Sequence, residues 1–368
     1  MTETTGNTYH FNRLGLNDVV QASFDEAARS IEGAYLARIV RLDRGLPLAT
    51  SALETCRVQS ANHLIKAAKT DAQARVAIGD WVVLTHPEAH EMPVIERILP
   101  RTSAFVRKDP ADVANEQVII ANVDIVLILH ALTGGGLNVG RLERELVIAY
   151  ESGAQPIIVL AKADLIDDDA FIEEQRSLAQ SLGAGAEVIV ESAVTERGVD
   201  RIKSFLYEGV TAAMIGASGV GKSTLTNRLV GEYAQETGEV REGDDKGRHT
   251  TVARSMVEMP GGGILIDTPG MRALAPWRAY KGLDRAFPEV AQAALECKFA
   301  DCTHKGEPGC NVVDNPSINP ERLARYQAFM AELAELDKST KEQSWARGEG
   351  KSRSYSKNMK KRLKENSK

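Results

Sequence analysis

Nine consecutive residues near the middle of the chain, Gly216-Ala217-Ser218-Gly219-Val220-Gly221-Lys222-Ser223-Thr224, have the types and spacing that hold phosphate. They match G-x-x-x-x-G-K-[ST] in full. They follow the strand-like run Ala212–Ile215 and open a helix-like segment, which is the context this motif requires. The glycines let backbone N–H groups curl around phosphate oxygens. Lys222 adds a point charge for the terminal phosphates, and Ser223 offers a hydroxyl to Mg2+. Downstream, the apolar Ile264–Ile266 ends in Asp267-Thr268-Pro269-Gly270. An Asp in that place holds Mg2+ through water, and Gly270 can present its N–H to a γ-phosphate and turn away when that phosphate leaves. The polar stretch between the two motifs contains Thr250 and Thr251, either of which can close over Mg2+ and γ-phosphate.

A second constellation comes earlier in the chain, at Ala161-Lys162-Ala163-Asp164. A carboxylate there accepts from guanine N1–H and the 2-amino group together, a bidentate and charge-assisted pair. Adenine would leave that carboxylate unpaired, so Asp164 selects guanine, while the Lys162 stem covers one face of the base. The usual motif is Asn-Lys-x-Asp. An Asn in place of Ala161 would bond guanine N7 and brace the phosphate loop, so its loss is expected to weaken nucleotide binding. Further on, Ser192-Ala193 can turn a backbone N–H toward guanine O6. In the usual order the base motif follows the phosphate loop; here it precedes it.

A third group is Cys297-x4-Cys302-x-His304-x5-Cys310. Three thiolates and one imidazole suit a tetrahedral zinc, and four protein ligands leave no open position, so the site is expected to be structural. The remaining cysteine, Cys56, lies in a β-rich stretch and reads as a packing residue.

The elements that must position these residues are legible as periodicity. Residues 1–33 lack strong periodicity and read as an extension, partly disordered or loosely docked. Residues 34–101 carry alternating β-rich runs around Gly79-Asp80-Trp81-Val82 and suggest a small antiparallel barrel, an OB-fold. Residues 102–278 alternate buried strands with helices and imply a parallel α/β sheet. One of those helices carries Leu142, Leu146, Val147 and Tyr150 and stops at Gly153. Residues 279–337 hold the Cys/His group and a helix opened by Asn319 and Pro320, with Leu323, Tyr326, Met330 and Leu333 on one apolar stripe.

Composition bounds the rest. The chain has 368 residues, 43% hydrophobic and 26% charged, ordinary for a soluble multidomain protein. It shows neither a membrane-length apolar run nor a signal-peptide pattern, so the expectation is cytoplasmic. Residues 338–368 hold eleven Lys/Arg against three Asp/Glu, a net of +8 that leaves −14 for the remainder of a chain whose total is −6. Such a tail suits a polyanion partner, or is simply a solvated end.

Together the strings "VAIGDWV", "ILPRTSAFVRKDP", "ANVDIVLIL", "GASGVGKST", "GRHTT", "DTPGMR" and "CKFADCTHKGEPGC" resemble the circularly permuted ribosome small subunit-dependent GTPase A (RsgA) family. They span Val76 to Cys310. The resemblance implies an N-terminal OB-fold, a permuted P-loop GTPase domain and a C-terminal zinc-binding helical domain. It implies a monomer that hydrolyses GTP with Mg2+, stimulated by the small (30S) ribosomal subunit during late maturation, with 16S rRNA as partner. Met271 stands where many GTPases place a water-orienting Gln, and methionine cannot do that work; the resemblance assigns it to His249. Ala161, Val252 and the first thirty residues depart from the family pattern. Two other classes stay open at this level: an ATP-using P-loop enzyme, which Asp164 argues against, and an RNA-binding protein that holds nucleotide only structurally.

Overall fold

The computed structural model of the protein describes residues 11–42, 46–69, 71–108, 116–231, 254–267 and 278–346. The first helix, α1 (Asp18–Ala28), is capped by Asn17, whose side chain accepts from Val20 N at 3.0 Å. Strands β1 (Tyr35–Leu42), β2 (Leu48–Ser51), β3 (Thr55–Arg57) and β4 (Gln59–Ser60) follow, then α2 (Asn62–Ala67), β5 (Trp81–Thr85) and β6 (Val94–Ile98). β1 pairs antiparallel with β2 and β5, β2 with β3, and β5 with β6. β4, which continues β3 after Val58, pairs parallel with β6 and closes the ring. Alternate residues Ala37, Ile39, Ala49, Val82, Leu84 and Ile95 fill its interior, as the two-residue strand period requires.

A two-stranded sheet, β7 (Ala104–Lys108) with β8 (Glu116–Ala121), leads into β9 (Ile125–Ala131) and α3 (Val139–Ser152). Then come β10 (Gln155–Ala161), α4 (Asp169–Leu182), β11 (Glu187–Val190), α5 (Val199–Lys203), β12 (Thr211–Gly216), α6 (Lys222–Val230), β13 (Arg254–Glu258) and β14 (Ile264–Asp267). The described part of the chain closes with α7 (Tyr280–Ala286), α8 (Pro288–Ala294) and the long α9 (Pro320–Ala346). The strand order β11-β10-β9-β12-β14-β13 is parallel except for β13. The sheet does not stop there. β13 pairs antiparallel with β1 of the ring, Arg41 opposite Ser255 and Leu42 opposite Arg254, so ring and α/β layer form one 12-stranded sheet.

The strand period sorts the α/β core into two faces. Val126, Ile128, Ile158, Leu160 and Ile215 face α3 and α7–α9. Leu127, Leu129, Val159, Ala161 and Met214 face α5 and α6. α3 is the platform for the C-terminal helices. A Cβ on Gly282 of α7 would lie 2.1 Å from the Val147 carbonyl oxygen, so only glycine permits this approach. Beside it, Glu143 of α3 is fully buried and accepts from Arg322 Nη1 at 3.0 Å and Arg325 Nε at 2.5 Å. Asn319 caps α9 as its type suggests, accepting from Glu321 N at 2.9 Å. Tyr326 and Leu333 are buried; Leu323 and Met330 are partly so.

Two findings differ from the sequence reading. Beyond residues 1–10, which lie outside the described part, the extension is a docked element. Leu14, Val20 and Ala27 pack with Trp81, Leu99 and Ile264. Buried Arg38 fastens it, donating to the Leu14 carbonyl, to Thr211 Oγ1 at 3.0 Å and to the carbonyls of Asn122 at 2.9 Å and Gly79 at 3.2 Å. Val20, Phe24 and Ala27 stand at i, i+4 and i+7 and turn one short apolar stripe toward this cluster. The last helix also runs past Asp337 to Ala346, into the start of the basic segment.

Candidate nucleotide site and metal centre

Parallel strands deliver their C-terminal ends to one edge of the sheet, where ligands of open α/β folds bind. β12 ends in the phosphate loop and β10 in the base motif, with β9 between them. Gly216 sits at φ 145°, where a Cβ would lie 2.5 Å from the Leu129 carbonyl oxygen. Val220 anchors the loop by burying its side chain with Ala161 and Leu225. Gly219 and Gly221 carry positive φ, and α6 begins directly afterwards, with Leu225 N donating to Gly221 O at 2.9 Å. Ser218, Ser223 and Thr224 are exposed at this edge. Lys222 folds back along the loop, its Nζ donating to the carbonyls of Gly216 at 2.7 Å and Ala217 at 2.6 Å. A phosphate offers stronger acceptors to the same ammonium.

The base motif is a tight turn. Lys162 adopts φ 63°, and Ala163 N donates to Glu191 O at 2.9 Å. Ser192, fully buried, donates from Oγ to Asp164 Oδ1 at 2.6 Å. One carboxylate oxygen is thereby oriented while Asp164 stays exposed to meet a base. A Cβ on Gly221 would lie 3.9 Å from Lys162 Cε, so the lysine stem runs beside the phosphate loop. Two contributors carried no sequence signal for this role. Arg228 of α6 donates from Nε to Ala193 O at 2.8 Å and ties the helix of the phosphate loop to the Ser-Ala turn. Glu191 is 2% exposed, and its Oε1 has no hydrogen-bonding partner among the described residues.

Asp267 ends β14, beside the phosphate-loop strand, at the same edge. Its side chain lies outside the described part of the structure, as do Gly270, Thr250, Thr251 and His249.

Cys297, Cys302, His304 and Cys310 converge, with ligand atoms all within 4.8 Å of one another. His304 Nδ1 lies 3.7 Å from Cys297 Sγ and 3.6 Å from Cys310 Sγ. A tetrahedron with Zn–S of about 2.3 Å and Zn–N of about 2.0–2.1 Å has an S···N edge of roughly 3.6 Å. The donor set therefore fits zinc in both chemistry and spacing. His304 reaches it from φ 58°, and its ring lies 6.3 Å from that of Tyr326 in α9.

A phosphate loop, an Asp-bearing base turn and a strand ending in Asp267 at one sheet edge, with the base turn earlier in the chain, define a circularly permuted P-loop GTPase. Residues 98–277 match the family model described as RsgA GTPase. The small ribosomal subunit biogenesis GTPase RsgA of Methanosarcina acetivorans is 37% identical over 344 residues, covering 90% of this chain and 89% of the relative. Its namesake from Streptomyces coelicolor is 36% identical over 342 residues, with the same coverage. Among solved structures, YjeQ from Thermotoga maritima superposes with a TM-score of 0.59 at 24% identity, over 82% of this chain and 99% of that one. YloQ, described as a circularly permuted GTPase, gives 0.59 at 21% identity, over 83% and 97%. The chain belongs to the RsgA family and is a GTP hydrolase. No helix among the described residues is long and apolar enough to cross a membrane.

Proposed function

We propose that the protein binds the small ribosomal subunit through its rRNA and hydrolyses GTP there during late maturation, as a cytoplasmic monomer. The observation that carries this is the flanking of β9 by the base turn and the phosphate loop, in a chain with the RsgA relatives' extent. Asp164, held by Ser192, reads guanine N1–H and the 2-amino group; Ala193 N–H meets O6, and Lys162 lies along the base. The backbone from Gly216 to Thr224 and the ammonium of Lys222 receive the phosphates. Ser223 and Asp267 would hold Mg2+, which neutralises charge on the phosphate oxygens when bound. Gly270 senses the γ-phosphate, Thr250 or Thr251 closes over it, and His249 orients the attacking water when the subunit is bound.

The ring of strands is read as an OB-fold: β4 runs parallel to β6, and α2 lies between β4 and β5. Ring and zinc knuckle offer surfaces for RNA, and the net charge of +8 over residues 338–368 suits the same polyanion. GTP turnover measured with and without small subunits tests this reading. Strong stimulation is expected, and equal rates would refute it. His249→Ala is expected to abolish stimulated turnover and to spare nucleotide binding.

A further inference from the structure

Ala161 leaves the base motif without the polar side chain that its usual asparagine provides. The register of the sheet shows what lies beside it. β10 and β11 pair in parallel up to Leu160 opposite Val190, and Glu191 N continues the ladder by donating to Leu160 O at 2.8 Å. Glu191 is therefore the neighbour of Ala161 across the two strand ends. The strand period turns both toward the face that holds Val159, Ile189, Val220 and Leu225, the face of the phosphate loop and α6. Ala161 fills that face only with a methyl group, and the Glu191 side chain is buried, its Oε1 without a hydrogen-bonding partner among the described residues. Buried carboxylate oxygens are rarely left so.

We propose that Glu191 is a positioning residue that takes the place of the missing asparagine, bracing the base turn from behind so that Asp164 meets guanine in a fixed orientation. It does so as the neutral acid. Burial, then the Asp164 charge, push its carboxyl up to about 7, against the backbone N–H of Lys162, which favours the anion. Asp164 and the Lys162 amide are the polar neighbours that set this balance. A proton on Glu191 lets Asp164 remain the single anion of the pair, the form that accepts two guanine donors. A bound base buries the pair further and favours that proton. Guanine nucleotide affinity is therefore greatest below pH 7 and falls as pH rises through it.

The inference rests on Asp164 as the guanine reader and is tested separately from it. Binding of a fluorescent GDP analogue to the full chain is measured from pH 6 to pH 8. The wild type is expected to weaken several-fold across this range. Glu191→Gln, a permanent mimic of the neutral acid, is expected to bind like the wild type at pH 6 and to lose the pH dependence. Glu191→Ala is expected to bind roughly tenfold more weakly. Adding Ala161→Asn to Glu191→Ala is expected to recover most of that loss, which also guards against a mere folding defect. Wild-type affinity in Glu191→Ala, no recovery by Ala161→Asn, or a wild-type pH profile in Glu191→Gln would each overturn the proposal. Competition by GDP against ADP on the wild type checks the Asp164 reading alone, because every Glu191 comparison uses one nucleotide.

Discussion

Replacing Glu143 by Ala tests how the C-terminal helices are held to the GTPase core. Glu143 is fully buried on α3 and receives both Arg322 and Arg325 from α9. Removing one partner of a buried ion pair costs about 3–5 kcal/mol, because the other charge is left uncompensated. Here the remaining charges are not stranded. Arg322 keeps Glu289, the Ala286 carbonyl at 2.7 Å and the Phe287 ring at 4.6 Å. Arg325, whose side chain is 29% exposed, turns to water. The low end, about 3 kcal/mol, is therefore expected. A multidomain chain need not unfold in one step, so a bulk melting curve would blur this loss. Amide hydrogen exchange along α9 reads the local opening directly. A loss of about 3 kcal/mol accelerates exchange there by roughly a hundredfold, while the buried strands β9 and β10 should change far less. GDP binding should persist, since Glu143 lies on the face opposite the phosphate loop. Exchange in α9 within about threefold of wild type would refute the assignment of this cluster as the clamp.

Gly282→Ala should destabilise by about 1–3 kcal/mol through overpacking, since a backbone carbonyl 2.1 Å from the new methyl cannot yield without parting α3 and α7; a lowered melting temperature checks it. Metal analysis should find one zinc per chain, lost in Cys310→Ser, with faster exchange across residues 297–310. Asp164→Asn should shift preference from guanine toward xanthine nucleotides, because an amide donates to the 2-oxo group that replaces the amine. Unchanged competition by xanthosine diphosphate would count against Asp164 as the base reader.

The nucleotide edge was legible because its chemistry is local. A phosphate loop needs glycines at fixed offsets, and the strand before Asp267 is marked within a few residues, whereas Ser192-Ala193 is a common pair that gains weight only from its place 28 residues beyond Asp164. The Cys/His group was legible for the same reason. Arg38 and Glu143 were not. Arg38 sits in "YLARIVRL", where alternation is compatible with an outward-facing charge. Its partners are mainly backbone carbonyls from distant segments, which leave no residue-type signature. Glu143 reads as one more polar residue of an amphipathic helix until α9 supplies its two arginines. Glu191 was visible only as the letter before Ser-Ala. Its burial depends on how β11 ends beside β10. The junction of β13 with β1 had no signal either, because strand propensity does not say which strand is the neighbour.

That junction decides how the molecule can be divided. A GTPase core cut away from the ring would keep its nucleotide loops, yet β13 would become an open edge, with the groups that pair with Arg41 and Leu42 facing solvent. Open edges recruit other strands, so such a fragment should self-associate unless it keeps the stretch Tyr35–Leu42. The ring is thus not cargo hung on a tether. It is the end-cap of the catalytic sheet, and its first strand belongs to both units.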